Sequence, residues 1–210
     1  MTDDDFYELI KAIRHEDLDD IRRLLDADCD INRKGNGGGT LLMNTVADRV
    51  FPETVALLLS YGADVNAVDD NGETAVMAAV RSEFGDEQNI ALLLAHGADV
   101  HARDHNGATA LIGAWYYTID VLMEAGADVN AQDSAGNTAL MQACRYGLEE
   151  SVQALLEYHA DPNMKNHEGK TALWFVQKEG LPWLTKLRKS NPEWKIGKIV
   201  RSLKQAGANE

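Results

Sequence analysis

Cysteine is scarce in this chain of 210 residues: Cys29 and Cys144 stand far apart and match no metal-ligand spacing, so neither a disulfide framework nor a zinc site is expected. Basic residues are in deficit, 20 against 34 acidic, and the resulting charge of −14 repels phosphate backbones and anionic headgroups. Nucleic acid and membrane are therefore not expected as main partners. Long apolar runs are missing too, none reaching the ~18 to 20 residues of a membrane span. The start, Met1-Thr2-Asp3-Asp4-Asp5, is the opposite of a signal peptide's positive leader. A reduced, cytoplasmic setting is the expectation.

Recognised catalytic spacings are also absent. His101 and His105 are four apart but fall in a turn region, with no glutamate completing a zinc-hydrolase pattern. The run Gly35-Asn36-Gly37-Gly38-Gly39-Thr40 lacks the Gly-Lys-Ser/Thr ending of a phosphate-cradling loop. Cys144 reads as a buried structural thiol, and the paired acids Asp69-Asp70 and Glu149-Glu150 read as turns and solvated helix faces. No cofactor and no metal is expected.

What the chain has in abundance is self-similarity. Gly62-Ala63-Asp64-Val65-Asn66 recurs as Gly97-Ala98-Asp99-Val100-His101, as Gly126-Ala127-Asp128-Val129-Asn130 and, more weakly, as His159-Ala160-Asp161-Pro162-Asn163. About eight residues after each comes a Gly-x-Thr-Ala segment, placing threonines at 74, 109, 138 and 171, with an earlier copy at Thr40. The steps of 34, 35, 29 and 33 residues mark a solenoid period.

Within one period the apolar spacing is helical twice. Ala139-Leu140-Met141-Gln142-Ala143-Cys144 predicts an inner helix capped by Thr138, and Val152, Leu155 and Leu156 predict an outer helix that stops near His159. Helices this short need stacking to persist in water. Residues 6–31 match the second half of a repeat, with Ile21, Leu24 and Leu25 as its stripe. Ile199, Val200 and Leu203 form a late stripe at the other end, after about 15 extra residues.

The repeated motifs and their period resemble the ankyrin repeat family over essentially the whole chain. The resemblance implies an all-α solenoid of helix-turn-helix pairs joined by β-hairpin loops, about six repeats including both caps. One domain over 1–210 is expected: an N-cap at 1–31, repeats at about 32–65, 66–100, 101–129 and 130–162, and a C-terminal repeat at 163–210 with an insertion near 181–195. In place of the family's threonine-proline-leucine-histidine signature stand Ala or Leu, and then Met43, Met77, Ile112, Met141 or Trp174. Apolar packing must replace a histidine network, and the Ala-Leu-Met wording is closer to bacterial members.

The family resemblance also implies a protein-binding concave surface built from hairpin tips and inner-helix ends. Mapped here, the tips give Asp70, Asn71, His105, Asn106, Asn137, His167 and Lys170, and the helix ends give Arg81, Tyr116, Tyr117, Arg145 and Tyr146. Tyrosine and arginine are enriched at interface hot spots, so the last four are the candidate anchors. Because Thr109 to Asp128 spans only 19 residues, Trp115 and the tyrosines could equally fill the gap of a short repeat. The expected function is a non-enzymatic interaction module, monomeric, serving as scaffold, adaptor or inhibitor of a basic protein. Small acidic bacterial ankyrin proteins include immunity factors against basic toxins, which the resemblance makes a sharper alternative. A second alternative is an enzyme at the irregular last repeat, around His167, Glu168, Trp174, Trp183 and Trp194, or self-association there through tryptophan.

Charge is uneven along the chain. Residues 1–30 hold 11 acidic and 4 basic side chains, while 178–210 hold 8 basic and 3 acidic. The acidic end suits a solvated cap.

Overall fold

Most repeat threonines start a helix in the same way. In the computed structural model, which describes residues 3–27, 29–48, 51–82, 86–179 and 192–209, Thr40, Thr74, Thr138 and Thr171 hold extended backbone at φ −88 to −98°. Their hydroxyls accept the backbone N–H groups of Met43, Met77, Met141 and Trp174 at 3.3 to 3.4 Å. Each bond satisfies a donor that a helix start leaves unpaired and contributes about 1 kcal/mol.

In chain order the helices are α1 (Asp3–His15), α2 (Leu18–Leu25), α3 (Leu41–Ala47), α4 (Pro52–Ser60), α5 (Ala75–Arg81), α6 (Glu87–Ala95), α7 (Tyr116–Glu124), α8 (Ala139–Tyr146), α9 (Glu149–Glu157), α10 (Ala172–Trp174) and α11 (Pro192–Gln205). Single 3-10 turns lie at Asn36–Gly38 and Ala110–Gly113, and a π turn at Phe175–Glu179 continues α10. Among the described residues there is no strand, and no helix is long and apolar enough to cross a membrane.

Residues 1–105 and 106–210 form two compact units. In the first, α1 pairs with α2, α3 with α4 and α5 with α6, while α3 packs on α5 and α4 on α6. In the second, the Ala110–Gly113 turn pairs with α7 and α8 pairs with α9. There α8 packs on that turn and on α10, and α9 packs on α7 and α11. Inner elements thus stack on inner elements and outer on outer, burying Leu42, Met77, Ile90 and Leu93 in one unit and Ile119, Leu140, Met141 and Leu155 in the other. Met43, Met77 and Met141, in the place where the family pattern has histidine, are all buried, so apolar packing does fill that position.

The outer helices stop by one device. After α4, α6 and α7 the chain turns through Gly62, Gly97 and Gly126 at φ 86 to 89°, and after α9 through His159 at φ 62°. The left-handed residue lets the N–H groups of Ala63, Ala98, Ala127 and Ala160 donate back to the carbonyls of Leu58, Leu93, Leu122 and Leu155 at 3.0 to 3.1 Å. Beyond the stops at Gly62, Gly126 and His159, though not beyond Gly97 where His101 takes the place, sits an asparagine that reaches the next repeat. Asn66 donates from Nδ2 to the Gly97 carbonyl at 2.9 Å and accepts the Asp99 N–H at 2.8 Å. Asn32 does the same with Gly62 and Asp64, and Asn163 with Gly207 and Asn209. Asn130 accepts the Asp161 N–H.

The expected hairpin loops are tight turns: the N–H groups of Asp69, Asp133 and Asn166 donate to the carbonyls of Glu73, Asn137 and Lys170 at 2.9 to 3.0 Å, and those of Gly72, Gly136 and Gly169 donate back to the carbonyls of Asp69, Asp133 and Asn166 at 2.8 to 3.0 Å. Neighbouring turns are tied by the N–H of Asp70 to Gly37, of His105 to Asn71, of Ser134 to Asn106 and of His167 to Ala135. Three local readings change. The N-terminal segment holds a full helix pair, because Leu9, Ala12 and Ile13 give α1 its own buried stripe in front of α2. Thr109 caps nothing: the 29-residue step removes most of the inner helix, leaving the Ala110–Gly113 turn and a buried hydroxyl without a partner. Glu149 is buried against Lys198 of α11 at 2.9 Å instead of lying on a solvated face. Within α11, Ile199 and Leu203 are buried and Val200 is half-buried. The bulk of the insertion expected near 181–195, residues 181–191, lies outside the described residues.

Candidate functional site

Turn chemistry builds the tips of the first unit. The Asp69 carboxylate accepts the N–H groups of Asn71 and Glu73, both at 2.8 Å, and the Asn71 amide at 3.3 Å. Burial pushes its pKa up, but the bonds from Glu73 and Asn71 and the nearby His105 outweigh that and hold it below the ordinary carboxylate range. Asp69 is therefore internal to the turn, while Asp70, Asn71 and His105 face solvent.

Arg81, predicted as a contact residue, is occupied. Its guanidinium pairs with Glu73 and with Asp104 at 3.1 Å, and the Asp104 side chain is only 4% exposed. A fork of donors between two carboxylates, one of them buried, ties the end of α5 to two successive turns. Asp104 escaped the sequence reading because its partner lies 23 residues away.

In the second unit the predicted residues divide. Asn137 is spent on the scaffold, donating to Asp133 at 3.2 Å and accepting from Asn166 at 2.9 Å. Lys170 pairs with Glu168 at 2.9 Å and lies 4.0 Å over the Trp174 ring, and Arg145 lies 5.8 Å over Phe175. Asn106, Tyr146 and His167 are exposed. Tyr116 and Tyr117 open the outer helix α7, with Trp115 just before it, rather than closing an inner helix. Their rings pack edge to face at 5.5 Å, Tyr117 is half-buried, and burial together with Tyr116 pushes the Tyr117 phenol up. Among the described residues of 106–210, the large apolar side chains left exposed are Trp115, Tyr116 and Tyr146, the two tyrosines at 54% and 52%.

Neither thiol is poised for chemistry. Cys144 has no exposed surface and burial drives its pKa far up, while burial and Asp30 raise that of Cys29. Among the described residues no group of three or more His, Cys, Asp or Glu is placed to hold a metal ion. Of the residues named for an enzymatic site, Trp183 lies outside the described residues, and Glu168 and Trp174 are the partners of Lys170 in the ion pair and ring contact already given.

A surface pocket of about 290 Å³ in the first unit had no counterpart in the sequence reading. Glu16, Leu18, Phe51, Glu53 and Thr54 line it, brought together from the α1–α2 corner and the start of α4. The one local signal was Phe51-Pro52, a helix start whose capping position carries an aromatic ring instead of a hydroxyl or carboxylate.

Compared with known proteins, the chain matches the family model described as ankyrin repeats in three copies, at residues 9–104, 83–166 and 110–187. No curated protein matches it.

Proposed function

The chain belongs to the ankyrin-repeat family, whose repeats generally mediate protein–protein interaction, and on that premise we propose a non-enzymatic module that binds a basic protein partner. The observation that carries the reading is the exposure of Trp115, Tyr116 and Tyr146 in a unit whose other described large apolar side chains are buried or half-buried. Exposed aromatic rings with polar tips are the side chains that dominate interface energetics. Tyr116 and Tyr146 are the anchors, Tyr117 backs Tyr116, and Arg145 flanks Tyr146 along α8. Asn106 and His167 are exposed turn tips of the same unit, whereas Asn137 and Lys170 are engaged within its scaffold; in the first unit Asp70, Asn71 and His105 are exposed tips and Arg81 is engaged. A charge of −14 favours a basic partner and accelerates its encounter at low salt. The role is that of a scaffold, adaptor or inhibitor, acting as a monomer.

The test is an affinity pull-down from native lysate at low and moderate salt, comparing wild type with Tyr116→Ala/Tyr146→Ala. Both side chains are exposed, so the variant should keep its fold. Loss of one specific protein in the variant supports the reading; a partner retained by the folded variant removes the tyrosines from the interface.

A further inference from the structure

Three turns share one clamp, and the turn at Gly35 lacks it. Oδ1 of Asp69 accepts the N–H groups two and four residues on, those of Asn71 and Glu73, both at 2.8 Å. Asp133 does the same for Ala135 and Asn137 at 2.8 to 2.9 Å, and Asn166 for Glu168 and Lys170 at 2.9 to 3.0 Å. The turn at 35–39 has the same backbone frame: the Gly35 N–H donates to the Gly39 carbonyl at 2.9 Å and the Gly38 N–H to the Gly35 carbonyl at 3.1 Å. Its clamp position, however, is Gly35, which has no side chain to offer. The N–H groups of Gly37 and Gly39, which a clamp would take, therefore have no hydrogen-bond partner among the described residues. Directly before Gly37 stands Asn36, whose carboxamide has no partner there either. Both residues are exposed, and nothing lies within 4 Å of where a Gly37 Cβ would stand.

An unpaired main-chain N–H beside an unpaired carboxamide is a reactive combination, and the two other Asn-Gly pairs are placed differently. The Gly72 N–H donates to the Asp69 carbonyl at 3.0 Å, the Asn71 amide donates to the Asp69 carboxylate at 3.3 Å, and Gly72 is buried against His105. Asn106 and Gly107 are each engaged, and Ser134 lies against Gly107. We propose that Asn36 is a modification site at which the chain converts spontaneously to isoaspartate, selected because Gly35 supplies no clamp. The Gly37 nitrogen bonds to Cγ of Asn36, the Cγ–Nδ2 bond breaks, and ammonia leaves with the Gly37 amide proton. Water then opens the five-membered imide, giving isoaspartate by attack at the main-chain carbonyl and aspartate by attack at Cγ. Isoaspartate routes the main chain through Cγ and lengthens it by one methylene, next to the Gly37 carbonyl that takes the Asp70 N–H at 2.9 Å. The modification thus loosens the bond between this turn and the one at Asp69, and adds a carboxylate to a chain that already carries −14.

The experiment incubates the folded full chain at mildly alkaline pH and follows tryptic peptides 35–49, 50–81 and 104–145, which carry the three Asn-Gly pairs separately, by tandem mass spectrometry. Enzymatic methylation of isoaspartyl carboxylates with labelled S-adenosylmethionine identifies the linkage. Asn36 should react about tenfold faster than Asn71 or Asn106, the factor that corresponds to about 1.4 kcal/mol of hydrogen bonding released at the other two. Gly35→Asp installs the missing clamp. Gly35 has φ −85°, and a Cβ there would lie 3.7 Å from its nearest neighbour, the Gly39 carbonyl oxygen, so the side chain fits. This variant should slow Asn36 about tenfold and leave the other two pairs unchanged. Gly35→Ala, with the same added Cβ and no acceptor, should keep close to the wild-type rate. In urea the three wild-type rates should converge. Equal rates in the folded chain, a folded Gly35→Asp that reacts as fast as Gly35→Ala, or a gap that persists in urea each overturn the proposal.

Discussion

The repeats that begin at Thr109 and Thr138 share nearly the same opening, Gly-Ala-Thr-Ala-Leu and Gly-Asn-Thr-Ala-Leu, yet fold their inner halves differently. Both threonines hold the same extended backbone. After Thr138 the chain runs through two helical turns and the hydroxyl finds the Met141 N–H; after Thr109 it makes a single 3-10 turn and the hydroxyl finds nothing. Six residues beyond the threonine stands fully buried Cys144 in one repeat and partly exposed Trp115 in the other. A capping residue therefore contributes only when enough chain follows to build the helix, and the missing length reappears as exposed aromatic surface.

Core substitutions should separate the two repeats most. Leu140→Ala in α8 is expected to cost about 3 kcal/mol, within the usual range for such cavities. Leu111→Ala in the short turn should cost measurably less, since a single turn collapses more readily into the space; urea unfolding midpoints of the two variants check this. Equal losses would mean that the short repeat is as tightly packed as the regular one.

Backbone substitutions come next. A Cβ at Gly136 would lie 2.9 Å from the His167 N and 3.0 Å from the Asn166 Cα, so both conformation and space oppose Gly136→Ala, with an expected loss of about 2 kcal/mol or more. Gly126 ends the short repeat at φ 89° with nothing within 4 Å, so Gly126→Ala should lose only about 1 kcal/mol of conformational strain. Calorimetric midpoints would rank them. At the equivalent stop of the regular repeat, His159→Gly should gain up to about 1 kcal/mol by relieving φ 62°.

The smallest effects are the most diagnostic. Thr138→Ala should cost about 1 kcal/mol, whereas Thr109→Val, which removes an unpaired buried hydroxyl, should be neutral or stabilising. A comparable loss for both would show that Thr109 finds its cap in solution. Labelling offers a check without mutation. Burial holds both thiols above their ordinary pKa, so iodoacetamide at pH 8 should modify half-buried Cys29 slowly and Cys144 only after unfolding.

The threonine steps and the Gly-Ala-Asp motifs made the stacked helix pairs legible, because periodicity survives without coordinates. The same steps flagged the short repeat but not which half was short, so Tyr116 and Tyr117 were expected at the end of an inner helix and instead begin α7. Site residues were less legible for a physical reason. Arg81 looks like a free surface cation until folding brings Asp104 under it, and Lys170 until Glu168 and Trp174 close around it. Phe51 and Glu16, 35 residues apart, share no pattern that sequence spacing could reveal.

The asparagine ladder has a consequence for how the molecule ages. Hydrolysis of a ladder carboxamide to aspartate would replace the Nδ2 donor with an oxygen facing the carbonyl of Gly62, Gly97 or Gly207, two acceptors in contact. Asn32, Asn66, Asn130 and Asn163 are followed by Arg, Ala, Ala and Met, whose side chains hinder the succinimide closure that deamidation requires. Asn-Gly, the pair most open to that closure, occurs instead at the turn tips, Asn36-Gly37, Asn71-Gly72 and Asn106-Gly107. Chemical wear should begin where the protein meets its surroundings, adding negative charge there, and reach last the rungs that hold successive repeats together.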